Sequence, residues 1–515
     1  MSERVHRTVM NIKVGMLFYI LSLFLAFFSR KVFLDCLGAE FIGLTGMLMN
    51  IMSFLSVAEL GIGTSIVYFL YKPIQEDNHE KINEIVSMLA YLYRCIGFVI
   101  GAIGLVVSIF FPWWFNHLTI GLPLVYFAFY TFLVSSIAGY IFNYKQLLVI
   151  ADQKQYLVNA YFQTISIVQS LTQLLLAYYY RNLWLWVIVG LIFTIVGIIV
   201  FNYRIRQLYP WLIINLKKGQ ENLKKYPEVL MKTRHIFIQK IKDFILYHSD
   251  EIMVGMFVSV IKITFYGNYT MVLNKFNYLV NILSVGIGDG IGNLLAEGNE
   301  KNIMKVFWEL TAARYMLLGI IIFSLLMFIQ PFIRYWLGQQ YIMDEVIVYL
   351  LIFNLFLRLQ NAAVYIYLGA SGLFSDIWAN WAELIINVST TLLLAPTYGI
   401  TGILLGKILS YFFISVFWKP YYLFSQGFHK KVWIFWQGMI PYYIIFSIFS
   451  IFALLLKYTI IDEFESIFSL IIYGSILYIL LIGLYFISLF QFTIGMKFLI
   501  ARKSSIYKFL NHITL

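Results

Sequence analysis

The chain has 515 residues, of which 61% are hydrophobic, 19% aromatic and only 12% charged, with a formal net charge of +12. A mean hydropathy of +0.82 excludes a water-soluble domain, because that much apolar surface is hidden only if lipid is the solvent for most of the length. Apolar runs of about 20 residues between short polar breaks exclude the ten-residue alternation of an outer-membrane barrel and define an all-α, polytopic membrane protein. In chain order the pattern predicts fourteen transmembrane helices, over residues 12–34, 41–70, 85–111, 122–144, 157–179, 183–203, 236–260, 265–295, 303–330, 345–368, 377–395, 399–421, 433–456 and 466–490. The first follows "MSERVHRTVMNIK" and lacks a small-residue cleavage site, so it is read as a retained helix. Cys36 and Cys95 form neither a disulfide framework nor a metal-ligand spacing, and no cofactor is expected.

With the N-terminus inside, the cytoplasmic segments hold 26 of the 37 Lys and Arg, ten of them between Arg204 and Lys242. The opposite side holds Arg30, Lys31, Arg181, Lys262, Arg334 and Lys457. This asymmetry predicts both termini in the cytoplasm of a multi-pass inner-membrane protein. The net charge therefore reports topology and contact with anionic membrane lipids, and no nucleic-acid partner is needed to explain it. Arg94, Lys275, Arg314, Arg358 and Lys407 remain inside the membrane.

The second and eighth spans repeat one pattern. An Asn lies seven residues after a Gly (Gly43 and Asn50; Gly267 and Asn274), and a G-I-G follows at Gly61 or Gly286. The fifth and eleventh spans also match, with Asn159, Gln163, Ser166, Ser170 and Gln173 on one helical face and Asn380, Glu383, Asn387 and Thr390 on the other. Six spans repeated once from the same side form a parallel repeat, an arrangement in which transporters hold substrate between the halves. The predicted organisation is an N-terminal six-helix lobe (1–204), a basic cytoplasmic linker (205–235) anchored on the inner leaflet, a C-terminal six-helix lobe (236–424), and an extra helix pair with a cytoplasmic tail (425–515).

An Arg or Lys at the bilayer centre costs on the order of 3 kcal/mol, so several at once are not expected to face lipid. Arg358 shares a face with Asn354, Asn361 and Tyr365, and Lys275 adjoins Asn274, Tyr278, Asn281 and Ser284, so both are expected in a water-filled cavity. For Arg94 and Arg314, nearer the cytoplasmic helix ends, snorkelling and function both stand. Arg30 and Lys31 are either interfacial anchors with Asp35 or cationic contacts for an anionic substrate. In the seventh span Gln239, Asp243, Tyr247 and Asp250 lie on one face with His248 and Glu251 beside it. Asp243, Asp250, Glu251 and Glu383 are read as carriers of a coupling ion or as salt-bridge partners of Lys275 and Arg358.

The stretch "FSRKVFLDCLGAEFIGLTGMLMNIMSFLSVAELGIGTSIVYFLYKP" resembles the first two helices of the bacterial polysaccharide transporters, the O-antigen or lipid-linked oligosaccharide flippases of the MATE-like superfamily. The resemblance continues in "HSDEIMVGMFVSVIKITFYGNYTMVLNKFN", "YWLGQQYIMDE" and "GLFSDIWANWAELIINVSTTLLLAPTYGITGILLGKILSYFF", so it covers residues 1 to about 430. It implies a two-lobed alternating-access carrier that moves an undecaprenyl-diphosphate-linked repeat unit across the membrane for O-antigen, capsule or exopolysaccharide assembly. A polysaccharide polymerase and chain-length machinery would be its partners. It also implies that Arg30, beside the turn around Gly38 and Gly43, contacts the diphosphate or an acidic sugar, since a guanidinium donates to phosphate oxygens in pairs. Lys407 in "LLGKILS" stands where the family often has a small polar residue, a departure from its pattern.

Two other classes compete. A MATE-type multidrug exporter would share the architecture but is expected to carry acidic cavity residues for cationic substrates, whereas the deep residues here are basic. A membrane-embedded polysaccharide polymerase would carry its chemistry in a large outer loop, and "PFIRYWLGQQYIMDE" offers no acid-base set beyond Asp344 and Glu345. No Gly-rich phosphate loop supports an ATP motor, so the expectation is a carrier and not an enzyme.

Overall fold

The computed structural model describes residues 3–59, 62–116, 118–228, 245, 249–282, 287–373, 375–461 and 467–501. Every regular element among them is helical, and the chain divides into two compact units, Met1–Thr264 and Phe265–Leu515.

In the first unit α1 (Glu3–Leu37) ends at Gly38, whose φ of +86° a side chain would strain, and α2 (Ala39–Leu55) starts at once. Helices α3 (Ile62–Gln75), α4 (His79–Ser108), α5 (Leu122–Asn143), α6 (Gln155–Tyr180) and α7 (Leu183–Leu208) follow. α6 and α7 form a tight hairpin for local reasons. Arg181 takes a left-handed φ of 48° to stop α6, and the Asn182 side chain then accepts from the amides of Trp184 and Leu185 to start α7. Inside the hairpin the buried Gln173 donates to the Trp186 carbonyl at 2.9 Å, which satisfies one member of the polar stripe predicted for this helix.

The basic linker contains α8 (Leu216–Lys225), and it docks on α4. Gly219 allows the approach, since a Cβ there would stand 2.3 Å from the Ser87 carbonyl oxygen. Asn222 donates to the Glu84 carbonyl at 3.1 Å, Ser87 Oγ accepts from the Asn215 amide, and Asn83 accepts from the Ile213 amide. The Glu84 carboxylate takes both Lys225 Nζ and the Tyr226 hydroxyl at 2.7 Å. Burial, and then that carboxylate, push the Tyr226 hydroxyl up to about 12. The linker thus has specific protein partners as well as charges available to a leaflet.

The second unit runs through α9 (Val260–Ile282, whose first turns belong to the first unit), α10 (Ile287–Ala296), α11 (Glu300–Trp336), α12 (Glu345–Gln360), α13 (Ala362–Ala370), α14 (Ile377–Tyr398) and α15 (Ile400–Ser410). Gly399, at φ +57°, turns α14 into α15. Small residues then bring the pair together: a Cβ on Gly402 would meet the Leu394 backbone at 2.5 Å, and one on Gly406 would meet Thr391 Oγ1 at 2.4 Å. The terminal pair, α16 (Trp433–Leu456) and α17 (Ile467–Phe492), packs on α11 in the same way. Gly319 lies against the Tyr485 ring and Gly438 against the Trp308 ring, each with no room for a methyl group.

Ten helices among the described residues are long and apolar enough to cross a membrane. The other expected spans differ for physical reasons. The second is divided between α2 and α3, the eighth between α9 and α10, and α6 is less apolar because of its polar stripe. Part of the seventh, including Gln239, Asp243, Tyr247 and His248, lies outside the described residues, as do Ser284 and the glycines at 61 and 286.

Candidate functional site

The predicted residues fall into two groups, one in each unit. In the first unit residues 249–257 are helical, and they and the start of α9 meet α2 along small residues: a Cβ on Gly43 would lie 2.1 Å from the Val260 carbonyl, and one on Gly255 would lie 2.7 Å from Met47 Sδ. That close approach brings Asn50 and Glu251 together, with Asn50 Nδ2 donating to Oε2 at 2.6 Å. Arg30 of α1 donates to the Thr264 carbonyl at 3.2 Å and lies within electrostatic reach of Glu251, as does the buried Asp250. Four predicted residues, Arg30, Asn50, Asp250 and Glu251, therefore form one cluster. Lys31 turns away to pair with Asp35 at 3.2 Å on the exposed side, and Glu40 accepts from the Thr119 amide at 2.8 Å.

In the second unit several of the predicted polar residues are buried in helix contacts. Arg314 is only 4% exposed and donates to the Val280 carbonyl at 3.4 Å. Asn354 donates to the Leu404 carbonyl at 3.4 Å and Asn361 to the Ser415 carbonyl at 2.5 Å, so both tie α12 to the segment that starts with α15. Glu383, Asn387 and Thr391 of α14 and Lys407 of α15 are buried, and Arg358 is half-buried. On α9, Lys275 is half-buried, whereas Asn274 and Asn281 are exposed.

Sequence reasoning missed Asn302, Lys305 and Glu309 on α11, a polar face at three-and-four spacing at the start of a helix that is otherwise apolar. The spacing carries the signal, but Lys301 and Lys305 read equally well as cytoplasmic basic residues that set the topology. No group of His, Cys, Asp and Glu among the described residues could hold a metal ion.

Solved transporters share this arrangement of helices. One is a structure titled "Lipid II flippase MurJ, inward closed conformation", at 15% identity over 93% of this chain and 99% of that chain, with a TM-score of 0.68. Another is a multidrug resistance MATE family transporter of the MOP superfamily in an inward-facing conformation, at 11% identity over 79% of this chain and 95% of that chain, with a TM-score of 0.57. No family model matches the chain, and no curated protein does. The likeness establishes the fold: a multi-pass, MATE-like helical transporter architecture.

Proposed function

We propose that the protein is a flippase that carries undecaprenyl-diphosphate-linked oligosaccharide from the cytoplasmic to the periplasmic leaflet by alternating access. The observation that carries this reading is the sign of the charge within the spans of the second unit, where Arg314, Lys407, Arg358 and Lys275 are buried or half-buried in a fold shared with a lipid II flippase. A cation held at such depth is costly, and a positive interior recovers that cost when a diphosphate enters. Arg30 belongs to the same reading as a positive contact in the first unit. The carboxylates of Glu251 and Glu383 favour a second reading, export of a cationic drug by a MATE-type mechanism.

The test is a proteoliposome assay with a fluorescent lipid-linked oligosaccharide. Protein-dependent movement across the bilayer is expected. Transport of a cationic dye with no movement of the lipid would establish the exporter instead.

A further inference from the structure

Helices α10 and α11 leave a cavity of about 510 Å³ between them. They are joined by Glu297, Gly298 and Asn299; Gly298 turns the chain at φ +70°, and the Asn299 side chain caps α11 by accepting from the Asn302 amide. Two polar faces line the wedge. Asn293 comes from α10, Glu297 from the turn that follows it, and Asn302, Lys305 and Glu309 come from α11. Asn293 and Glu297 are exposed at the mouth, while Glu309 is only 3% exposed, with Lys305 Nζ at 3.9 Å from its carboxylate. The α10 side is bare: a Cβ on Gly288, Gly290 or Gly292 would meet nothing within 4 Å.

Three magnitudes narrow the occupant. A buried carboxylate and two amides against hydrocarbon would cost several kcal/mol, so a lipid tail is excluded and the wedge holds water or a polar ligand. A dehydrated cation is held by six to eight oxygens at about 2.3–2.6 Å, a shell far smaller than this cavity. Ligands of several rings fill pockets of about 300–1,000 Å³, and sugars require what this lining supplies: carboxylate and amide groups for hydroxyls, with Ile291 and Val306 for the C–H faces. The charged lining, Glu297 and Glu309 against Lys305, is net negative and disfavours an acidic sugar.

We infer that the wedge between α10 and α11 is a contact site for neutral or amine-bearing sugar residues, through Asn293, Asn302 and Glu309. Its assignment to the headgroup of the transported lipid rests on the function proposed above. The site and the deep cations then divide the substrate, sugars to the wedge and diphosphate to the positive residues.

The experiment uses the full chain in lipid nanodiscs and saturation-transfer NMR with three soluble probes: chitobiose, its de-acetylated diamine, and digalacturonate. Chitobiose and the diamine should bind and compete with each other, and digalacturonate should bind at least about fivefold more weakly. Asn293→Leu and Asn302→Leu, both at positions that are not fully buried, should each weaken chitobiose at least about fivefold while thermal unfolding stays that of the wild type. Equal or tighter binding of digalacturonate, or chitobiose binding untouched by both variants or absent from the wild type, overturns the site and leaves a water-filled wedge. Lipid-linked oligosaccharide transport by the wild type is measured in parallel. Transport without sugar binding removes the site alone, and sugar binding without transport removes the flippase reading alone.

Discussion

The Asn50 side-chain amide donates to the Glu251 carboxylate at 2.6 Å, a bond that closes 201 positions of chain. It exists because Gly43, Gly46 and Gly255 let two helices approach to backbone contact, so that a short amide can reach a carboxylate. Asn50→Leu removes the donor and leaves a carboxylate in the helix contact with one partner fewer. A loss of about 1–3 kcal/mol is expected. It should be visible as a lower unfolding midpoint by tryptophan fluorescence of the detergent-solubilised protein. Glu251→Gln keeps an acceptor and should stay close to wild type. If Asn50→Leu unfolds at the wild-type temperature, the bond contributes nothing to the fold.

A second consequence concerns the linker. Gly219→Val would drive a side chain into the Ser87 carbonyl, which no rotamer relieves because the obstacle is backbone. Helix α8 should then leave α4, and trypsin should cut after Lys217, Lys218 and Lys224 roughly tenfold faster, a change of about 1.4 kcal/mol in the opening equilibrium. The docked state favours the protonated Tyr226 hydroxyl, whose value is raised to about 12. That contribution is fully present below about pH 10, where an unfolded tyrosine titrates, and is lost as pH rises toward 12. An unchanged cutting rate in Gly219→Val would mean that the linker is held by the leaflet alone.

The helical class was legible because lipid forces every backbone group to bond within its own segment, so long apolar runs can form little else. The break between the eleventh and twelfth spans was legible, but the turn itself falls on Gly399, which the apolar pattern places at the start of the twelfth span. The polar faces with Asn354, Asn361, Glu383 and Asn387 were legible from their spacing, but their partners were not. Lys419 shows the reason: topology counts it as one of many cytoplasmic basic residues, yet it is 6% exposed and bonded at 2.6 Å to Asp376, 43 positions earlier. Lys457, counted on the outer side, is likewise buried against Glu345. No local periodicity encodes a pair that only tertiary packing brings together, and a glycine such as Gly219 does not announce what it will approach.

Lys457 supports a double-mutant cycle. Its side chain is 1% exposed, its ammonium pairs with Glu345 and stands 4.1 Å from the centre of the Tyr458 ring, and Tyr458 also donates to Glu345. Glu345→Gln leaves a buried ammonium without its counter-charge and should cost about 1–3 kcal/mol, at the lower end for such pairs because the glutamate is partly exposed. Lys457→Met combined with Glu345→Gln removes both charges and should recover most of that loss. The quantity to measure is the unfolding midpoint of the two single variants and the double. Additive losses would show that the charges do not interact, and that the aromatic contacts hold this end of α16.

The cations in the spans give the last test, because two explanations for them predict different tolerances. If Arg358 and Lys275 serve only to satisfy their neighbours, then a neutral residue that can hydrogen-bond should replace them, and a cation of another shape should fit poorly. If they hold a diphosphate, sign matters more than shape, since an anion is attracted only to a site that is positive without it. Arg358→Gln, Lys275→Gln and Arg30→Gln should therefore each lower transport of lipid-linked oligosaccharide by about tenfold or more, the scale of one charge-assisted contact of roughly 1.5–3 kcal/mol. Arg358→Lys and Arg30→Lys should retain part of it, because the charge survives although paired donation is lost. Arg30 needs one further control: it also donates to the Thr264 carbonyl, so its neutral variant is compared at equal protein abundance and equal unfolding midpoint. Wild-type transport by all three neutral variants would make the cations structural and leave the substrate to be held by its sugars or its lipid tail.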